Sequence, residues 1–491
     1  MADLPTSSAA SAARSLPAII QGGMGVSVSN WRLANATSRS GCLGVISGTG
    51  LDRVVAYRLQ EGDAEGHLRR VIARFPFPAI AERVLARWFV PGGVPRAGVY
   101  RQTSMIGHQP SAENLELIVV ANFAEVALAK EGHTGVVGIN LLEKIQVPNL
   151  ASLYGAMLAG VDAVLMGAGI PREIPAALEL LSRHEPATLL LHVDGALEGE
   201  TTRLRFAPRE LVGEVPLPTL VRPPFLAVIA SDTLAQSLAR STNGQVDGFV
   251  IEGPIAGGHN APPRNHAGQL NARGEPIYGP RDVVDLERIK RLGRPYWLAG
   301  GFGDPGGLVR AQALGAQGVQ MGTAFAFSHE SGLTSELKVQ ALAMVQAGTA
   351  QVFTDPQASP TGFPFKVVEL PGTLSEASVY AARTRICNLG YLRQAYRLPD
   401  GRIGWRCPAE PEAHFIAKGG DPAELVGRKC LCNGLMSSAG LALATAAGGR
   451  ELPLVTAGDN LTSLGAIGVD LAGYDVQAVL KLPVPVTAAT G

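Results

Sequence analysis

Two glycine-ended runs are the stretches of this sequence best suited to hold an anion: Trp297-Leu-Ala-Gly-Gly-Phe-Gly-Asp-Pro-Gly and Gly315-Ala-Gln-Gly-Val-Gln-Met-Gly-Thr-Ala-Phe. Each is a short apolar segment that stops at glycines, so its backbone amides can approach a phosphate with no Cβ in the way. Gly300, Gly301 and Phe302 from the first run, with Gly322 and Thr323 from the second, are the candidate donors. Either run alone also reads as an ordinary tight turn; the two together, separated by one helix, point to a site. A third run, Val246-Asp-Gly-Phe-Val-Ile-Glu-Gly-Pro-Ile-Ala-Gly-Gly-His-Asn, delivers Glu252 and then presents His259 behind Gly257 and Gly258. An imidazole, with an ordinary pKa of about 6.5, can take or give a proton at neutral pH. A surface-loop histidine is the plain alternative, and His133, His192 and His266 lack the glycine setting altogether. Two further apolar runs end in Gln21-Gly22-Gly23-Met24-Gly25 and Ser47-Gly-Thr-Gly, where a flat ring can lie against the backbone. Asn140 ends another, with an amide able both to donate and to accept toward a heterocycle. For Met24 the competing role is core packing, and for Asn140 it is capping a helix.

Cys387, Cys407, Cys430 and Cys432 form a second group. Four thiolates can hold zinc or an iron–sulfur cluster, but neither paired Cys-x2-Cys arm is present and the separations are wide. The expectation is therefore buried, redox-inert thiols and no metal. With Cys42 the cysteines number five, an odd count without a small secreted-domain context, which favours reduced thiols and a cytoplasmic location.

The elements that must position these residues are short and repetitive. Apolar runs at Ala18 to Gln21, Leu43 to Ser47, Val136 to Asn140, Ala163 to Met166, Phe225 to Ile229, Gly248 to Ile251, Tyr296 to Ala299 and Gly318 to Met321 read as strands. Helices are expected between them at Ser29 to Ser40, Asn149 to Ala159, Ile174 to Arg183, Asp232 to Ser241, Arg281 to Leu292 and Pro305 to Leu314, several beginning at a Ser, Asn or Asp. This alternation predicts an α/β fold, a closed TIM-like (β/α)8 barrel over residues 16–330. In such a barrel the loops after the seventh and eighth strands are where a phosphate sits. A large insertion follows strand 2, about residues 51–135, with a helix at Ala112 to Lys130; a hairpin around Thr202-Arg-Leu-Arg-Phe206 stands outside the wall. Residues 331–491 read as an α-rich cap or C-terminal domain, and Met1 to Ser15 as a flexible leader rather than a signal peptide.

Composition narrows the partners. The 491 residues hold 42 basic and 42 acidic side chains, and only 17% of the chain is charged, which argues against a nucleic-acid surface. No apolar run reaches the roughly 18 residues of a membrane span. The partner expected is a small molecule, with self-association left open.

Gly22-Gly23-Met24, Asn140, Ala256-Gly257-Gly258-His259, Ala299-Gly300-Gly301 and Gln320-Met321-Gly322-Thr323 occur in the order of a known set of barrel motifs. Over about Leu16 to Thr323 the sequence resembles the nitronate monooxygenase family, formerly 2-nitropropane dioxygenases, and related FMN-dependent enoyl reductases. The resemblance implies FMN as cofactor, its phosphate on Gly300-Gly301 and Gly322-Thr323, and His259 in the place of the catalytic base. The Gly-Gly-Met opening, the long insertion and Ser359-Pro-Thr-Gly-Phe-Pro-Phe-Lys366 resemble the long enoyl reductase branch that accompanies polyketide and polyunsaturated fatty acid synthases. Two activities are thereby implied: oxidation of a nitronate with O2, and NAD(P)H-dependent reduction of an enoyl thioester. A barrel that binds a phosphorylated ligand without redox chemistry is the reading from another class.

Overall fold

The computed structural model describes residues 15–264, 268–446, 448–467 and 473–484. His266 and all of the expected leader except Ser15 lie outside the described residues. All eight expected strands are present, at Ile19–Gln21, Leu43–Ser47, Val137–Leu142, Ala163–Gly167, Phe225–Ile229, Gly248–Glu252, Tyr296–Ala299 and Gly318–Met321. They pair in sequence order, every pair parallel, and the first strand closes the ring: Ile20 lies opposite Leu43 on one side and Gln320 on the other. The sequence is a TIM barrel.

The strands read as unbroken apolar runs because both faces are buried. Inward-facing Ile20, Val45, Leu165, Leu226, Val250 and Trp297 fill the lumen as one cluster. Their neighbours Ile46, Val164, Ala227, Phe249, Leu298 and Val319 pack outward against the helical layer. At the amino end of the lumen the Trp297 indole is 1% exposed and donates Nε1–H to the carbonyl of Pro17, at 2.9 Å. Helices start where a side chain can accept from the exposed first-turn amides: Asn30 accepts from Leu33, Ser111 from Asn114 and Ser231 from Leu234.

The insertion after the second strand is helical, Leu51–Gln60, His67–Ile72, Pro78–Trp88 and Ala112–Ala129, the last packing along Gln146–Leu158. Ala187–Leu191 and Thr202–Phe206 make the antiparallel hairpin outside the barrel wall. Beyond residue 331 the chain carries the helices Ser335–Gln346, Leu431–Ser438 and Val476–Lys481. It also carries two antiparallel ribbons, Val352–Asp355 with Phe365–Val368 and Gln394–Arg397 with Ile403–Arg406. The second ribbon extends into a three-stranded sheet by pairing with Val193–Asp194.

Trp297→Ala empties the amino end of the lumen and leaves the Pro17 carbonyl without its donor. The expected cost is about 3–5 kcal/mol, read as a lower urea midpoint at unchanged m-value.

Candidate active site

The carboxyl ends of all eight strands open into one cavity of about 210 Å³. Each strand contributes to its wall: Gly22 just past the first, Ser47, Asn140, Gly167, Val228, Glu252, Ala299 and Met321. Gly23, Met24, Gly257, Gly258, His259, Gly300, Gly301, Phe302, Gly322 and Thr323 line the same space, so every residue expected to bind a cofactor or act in catalysis faces it, whereas the four C-terminal cysteines lie elsewhere. Met24 and Phe302 do so while also packing against the core. His133, by contrast, bonds the carbonyl of Ala129, and His192 lies beside Glu143.

The loops after the seventh and eighth strands supply donors without acceptors. Among the described residues, no protein group accepts from the amides of Gly300, Gly301, Phe302 or Thr323. Gly301 has φ +85°, and a Cβ there would meet Ile255 Cδ1 at 2.6 Å, so glycine is what lets this turn form. On the opposite wall a Cβ at Gly23 would lie 2.5 Å from the Cβ of Asn140. The Asn140 amide nitrogen has a long contact to the Gly23 carbonyl, 3.4 Å, and its Oδ1 is buried with no partner. A buried acceptor left open beside a cavity calls for a donor from a ligand. Ser47 donates its hydroxyl to the Gly25 carbonyl at 2.6 Å, which ties down the loop after the first strand.

His259 is held from the C-terminal part of the chain. Its Nε2 is hydrogen-bonded to Ser359 Oγ at 2.7 Å, and Ser359 Oγ to Thr361 Oγ1 at 2.8 Å. Its ring stands edge-on to Phe365, centroids 4.8 Å apart. The backbone stitches the same contact: Lys366 donates to the Gly258 carbonyl and Asn260 to that of Pro364, both at 2.9 Å. Gly258 donates to Thr456 Oγ1 and Gly458 to Thr323 Oγ1, again at 2.9 Å. Beneath, buried Lys366 binds Thr354 Oγ1 and both carboxylate oxygens of Asp459 at 2.6 Å.

Among the described residues the lining includes Glu252 and His259 but no Lys or Arg. Burial pushes Glu252 up to about 8 and His259 down to about 4. Both are therefore uncharged at pH 7, one as a carboxylic acid and the other as a neutral imidazole. Sequence reasoning missed Ser359, Phe365 and the Thr456–Gly458 wall as parts of this site. The Ser359–Lys366 segment stood out only as a branch motif.

Residues 225–357 match the family model of nitronate monooxygenase. A probable nitronate monooxygenase of Staphylococcus saprophyticus is 34% identical over 113 residues, 23% of this chain and 30% of that protein. One of Bacillus subtilis is 33% identical over 119 residues, 24% of this chain and 32% of that protein. The chain thus spans about a third of the length of these curated relatives. Among solved structures, the nitroalkane oxidase of Streptomyces ansochromogenes is 14% identical, with a TM-score of 0.42 and coverage of 95% of this chain and 94% of that one. The family match falls on the half of the barrel that carries His259 and the seventh- and eighth-strand loops, and over residues 225–357 this chain is similar to nitronate monooxygenases.

Proposed function

We propose that this chain is an FMN-dependent oxidoreductase that acts on a nitronate, with the flavin across the barrel mouth and the substrate beside His259. The observation that carries the reading is the convergence of unpaired loop amides and a neutral histidine on one cavity at the strand ends. The residues fit a flavin nucleotide: Gly300, Gly301, Phe302, Gly322 and Thr323 would hold its phosphate with their amide dipoles. Gly22, Gly23, Met24 and Ser47 would let a flat ring lie close, and the unpartnered Asn140 Oδ1 would accept from it. Gly257 and Gly258, the latter at φ +82°, let the backbone turn so that His259 lines the same cavity. Bound FMN supplies the electron and hydride transfer that side chains cannot.

The chain's own part is proton handling and enclosure. In the tautomer that donates Nε2–H to Ser359, His259 keeps its lone pair on Nδ1. That nitrogen takes the α-proton of a nitroalkane, so that the nitronate form is the one presented. The segment match supports this reading over its rival. The described part of the chain beyond residue 331 covers the mouth in this reading, since Phe365, Leu435, Thr456 and Asn460 wall the cavity. No helix among the described residues is long and apolar enough to cross a membrane. We place the protein in the cytoplasm on its cysteine usage.

Glu252 favours a second reading, reduction of an enoyl thioester with NAD(P)H as electron donor. A carboxyl group held protonated at pH 7 is a proton source for the carbon next to the thioester carbonyl. In the unfolded chain Glu252 ionises near 4.5, and in the fold near 8. Between those values the folded state binds more protons, so this group's contribution to stability falls as pH rises and levels off above 8. Glu252→Gln removes that slope. The stability of the variant relative to the parent should rise by roughly 3 kcal/mol from pH 5 to pH 8 in urea titrations, whereas a constant difference would mean that Glu252 ionises normally.

Anaerobic titration of the FMN-loaded protein decides between the donors. Propionate 3-nitronate is expected to bleach the flavin, and His259→Gln to slow turnover of the parent nitroalkane about 100-fold or more while FMN stays bound. Bleaching by NADH or NADPH but not by the nitronate would transfer the assignment to the reductase. A colourless protein that takes up no FMN would leave only the phosphate-binding barrel.

A further inference from the structure

Glu252 stands between two cavities. Its side chain lines the barrel mouth and also a smaller cavity of about 20 Å³ at the end of the sixth strand. Among the described residues nothing bonds its carboxyl group, and burial alone shapes its acidity, so no structural contact accounts for its presence. Asn260, 2% exposed, lines the smaller cavity too. Its Nδ2 is committed to the Ala256 carbonyl at 3.0 Å, which leaves Oδ1 as a buried acceptor with no partner. We propose that Glu252 exchanges its proton with solvent through this side cavity, and so serves as the proton port of the barrel site while the flavin is in place.

The side cavity has the size and polarity of a water site. Its volume of about 20 Å³ exceeds the roughly 10–15 Å³ that one water molecule needs. A water there meets Asn260 Oδ1 as acceptor for one of its protons, and its oxygen can accept from the Glu252 O–H. The outer wall reaches the surface, since Ala261, Pro262 and Arg264 are exposed. The polar groups of that wall are occupied in holding it together. Arg264 donates Nη1–H to the Arg281 carbonyl at 2.7 Å and its backbone amide to Asp282 Oδ1 at 2.9 Å, and Tyr278 donates its hydroxyl to the Ala261 carbonyl at 3.1 Å. They frame an outlet and leave the inner carboxyl unpaired.

The inference rests on the reading of the barrel mouth as the catalytic site. Either chemistry proposed there moves a proton in each turnover: loss of a nitroalkane α-proton releases one into the cavity, and saturation of an enoyl thioester takes one up. A flavin across the mouth, with Phe365 and Leu435 walling it, would close the aqueous route on that side. The side cavity gives Glu252 a second route. The exchange step balances without a further reactant. The Glu252 O–H bond breaks as a cavity water takes the proton, the reverse transfer reloads the carboxylate, and no electrons move.

The test follows the infrared C=O band of the protonated Glu252 carboxyl in the full chain after mixing from H2O into D2O, at a pH well below 8, with and without bound FMN. Glu252→Gln identifies the band by removing it. In the parent the band is expected to move promptly to its deuterated position in both states. Ala230 lines the side cavity and not the mouth. Ala230→Leu fills that space and is expected to slow the shift about 10-fold or more with FMN bound, and to leave it fast without FMN. Ala261→Phe plugs the same cavity from its exposed wall, where folding is least at risk, and should act alike. Ala230→Ser, nearly unchanged in size, should keep the parent rate. Unaltered flavin absorbance and circular dichroism separate a plugged cavity from a disturbed fold. Equal rates in the parent and both plugged variants with FMN bound, or a parent band that never shifts, would overturn the port and leave the flavin reading standing. A chain that takes up no FMN would remove the reading and the port together.

Discussion

Closure of the first strand against both the second and the eighth is the constraint on which the rest of this molecule depends. Ile20 bonds into both neighbours, which removes the open edges a parallel sheet would otherwise carry and forces eight carboxyl ends onto one rim. Residues far apart in the chain, such as Gly23, Asn140, His259 and Gly301, become neighbours through that ring and by no local contact. The lumen cluster beneath them excludes water, so the groups at the rim sit on an apolar floor.

The C-terminal polypeptide then acts on the rim through its backbone. Gly258, Lys366 and Gly458 each spend an amide on a link between barrel loop and C-terminal segment. These links fix the loop that carries His259 from both sides, while Ser359 sets the orientation of the imidazole. A histidine held this way keeps its geometry without a carboxylate partner, which is consistent with its remaining neutral well below pH 7. The contacts that orient the imidazole also bury it, and burial keeps it neutral.

Much of the barrel was legible in the sequence because strands buried on both faces must be short, apolar and bounded by turns, a pattern that survives without knowledge of partners. The residues that line the barrel-mouth cavity were legible for a related reason: their glycines mark strand ends where the backbone turns tightly and lies open. What stayed hidden depends on long-range contact. Ser359 meets His259 across 100 residues and Gly458 meets Thr323 across 135, and neither has a local signature. The four C-terminal thiols converge only once an irregular loop and the second ribbon fold back together. The two ribbons beyond residue 331 were also unplaced, being short strands of mixed polarity such as Gln394–Arg397.

The absence of lysine and arginine from the barrel lining, among the described residues, has a consequence for how an anion would be held there. A full charge attracts over distances comparable to the Debye length, and its pull weakens as ionic strength rises. Amide dipoles act only at close quarters, where salt has little access. An anion held at this mouth would therefore be retained by close amide contacts more than by charges in its lining, and its retention would depend only weakly on ionic strength.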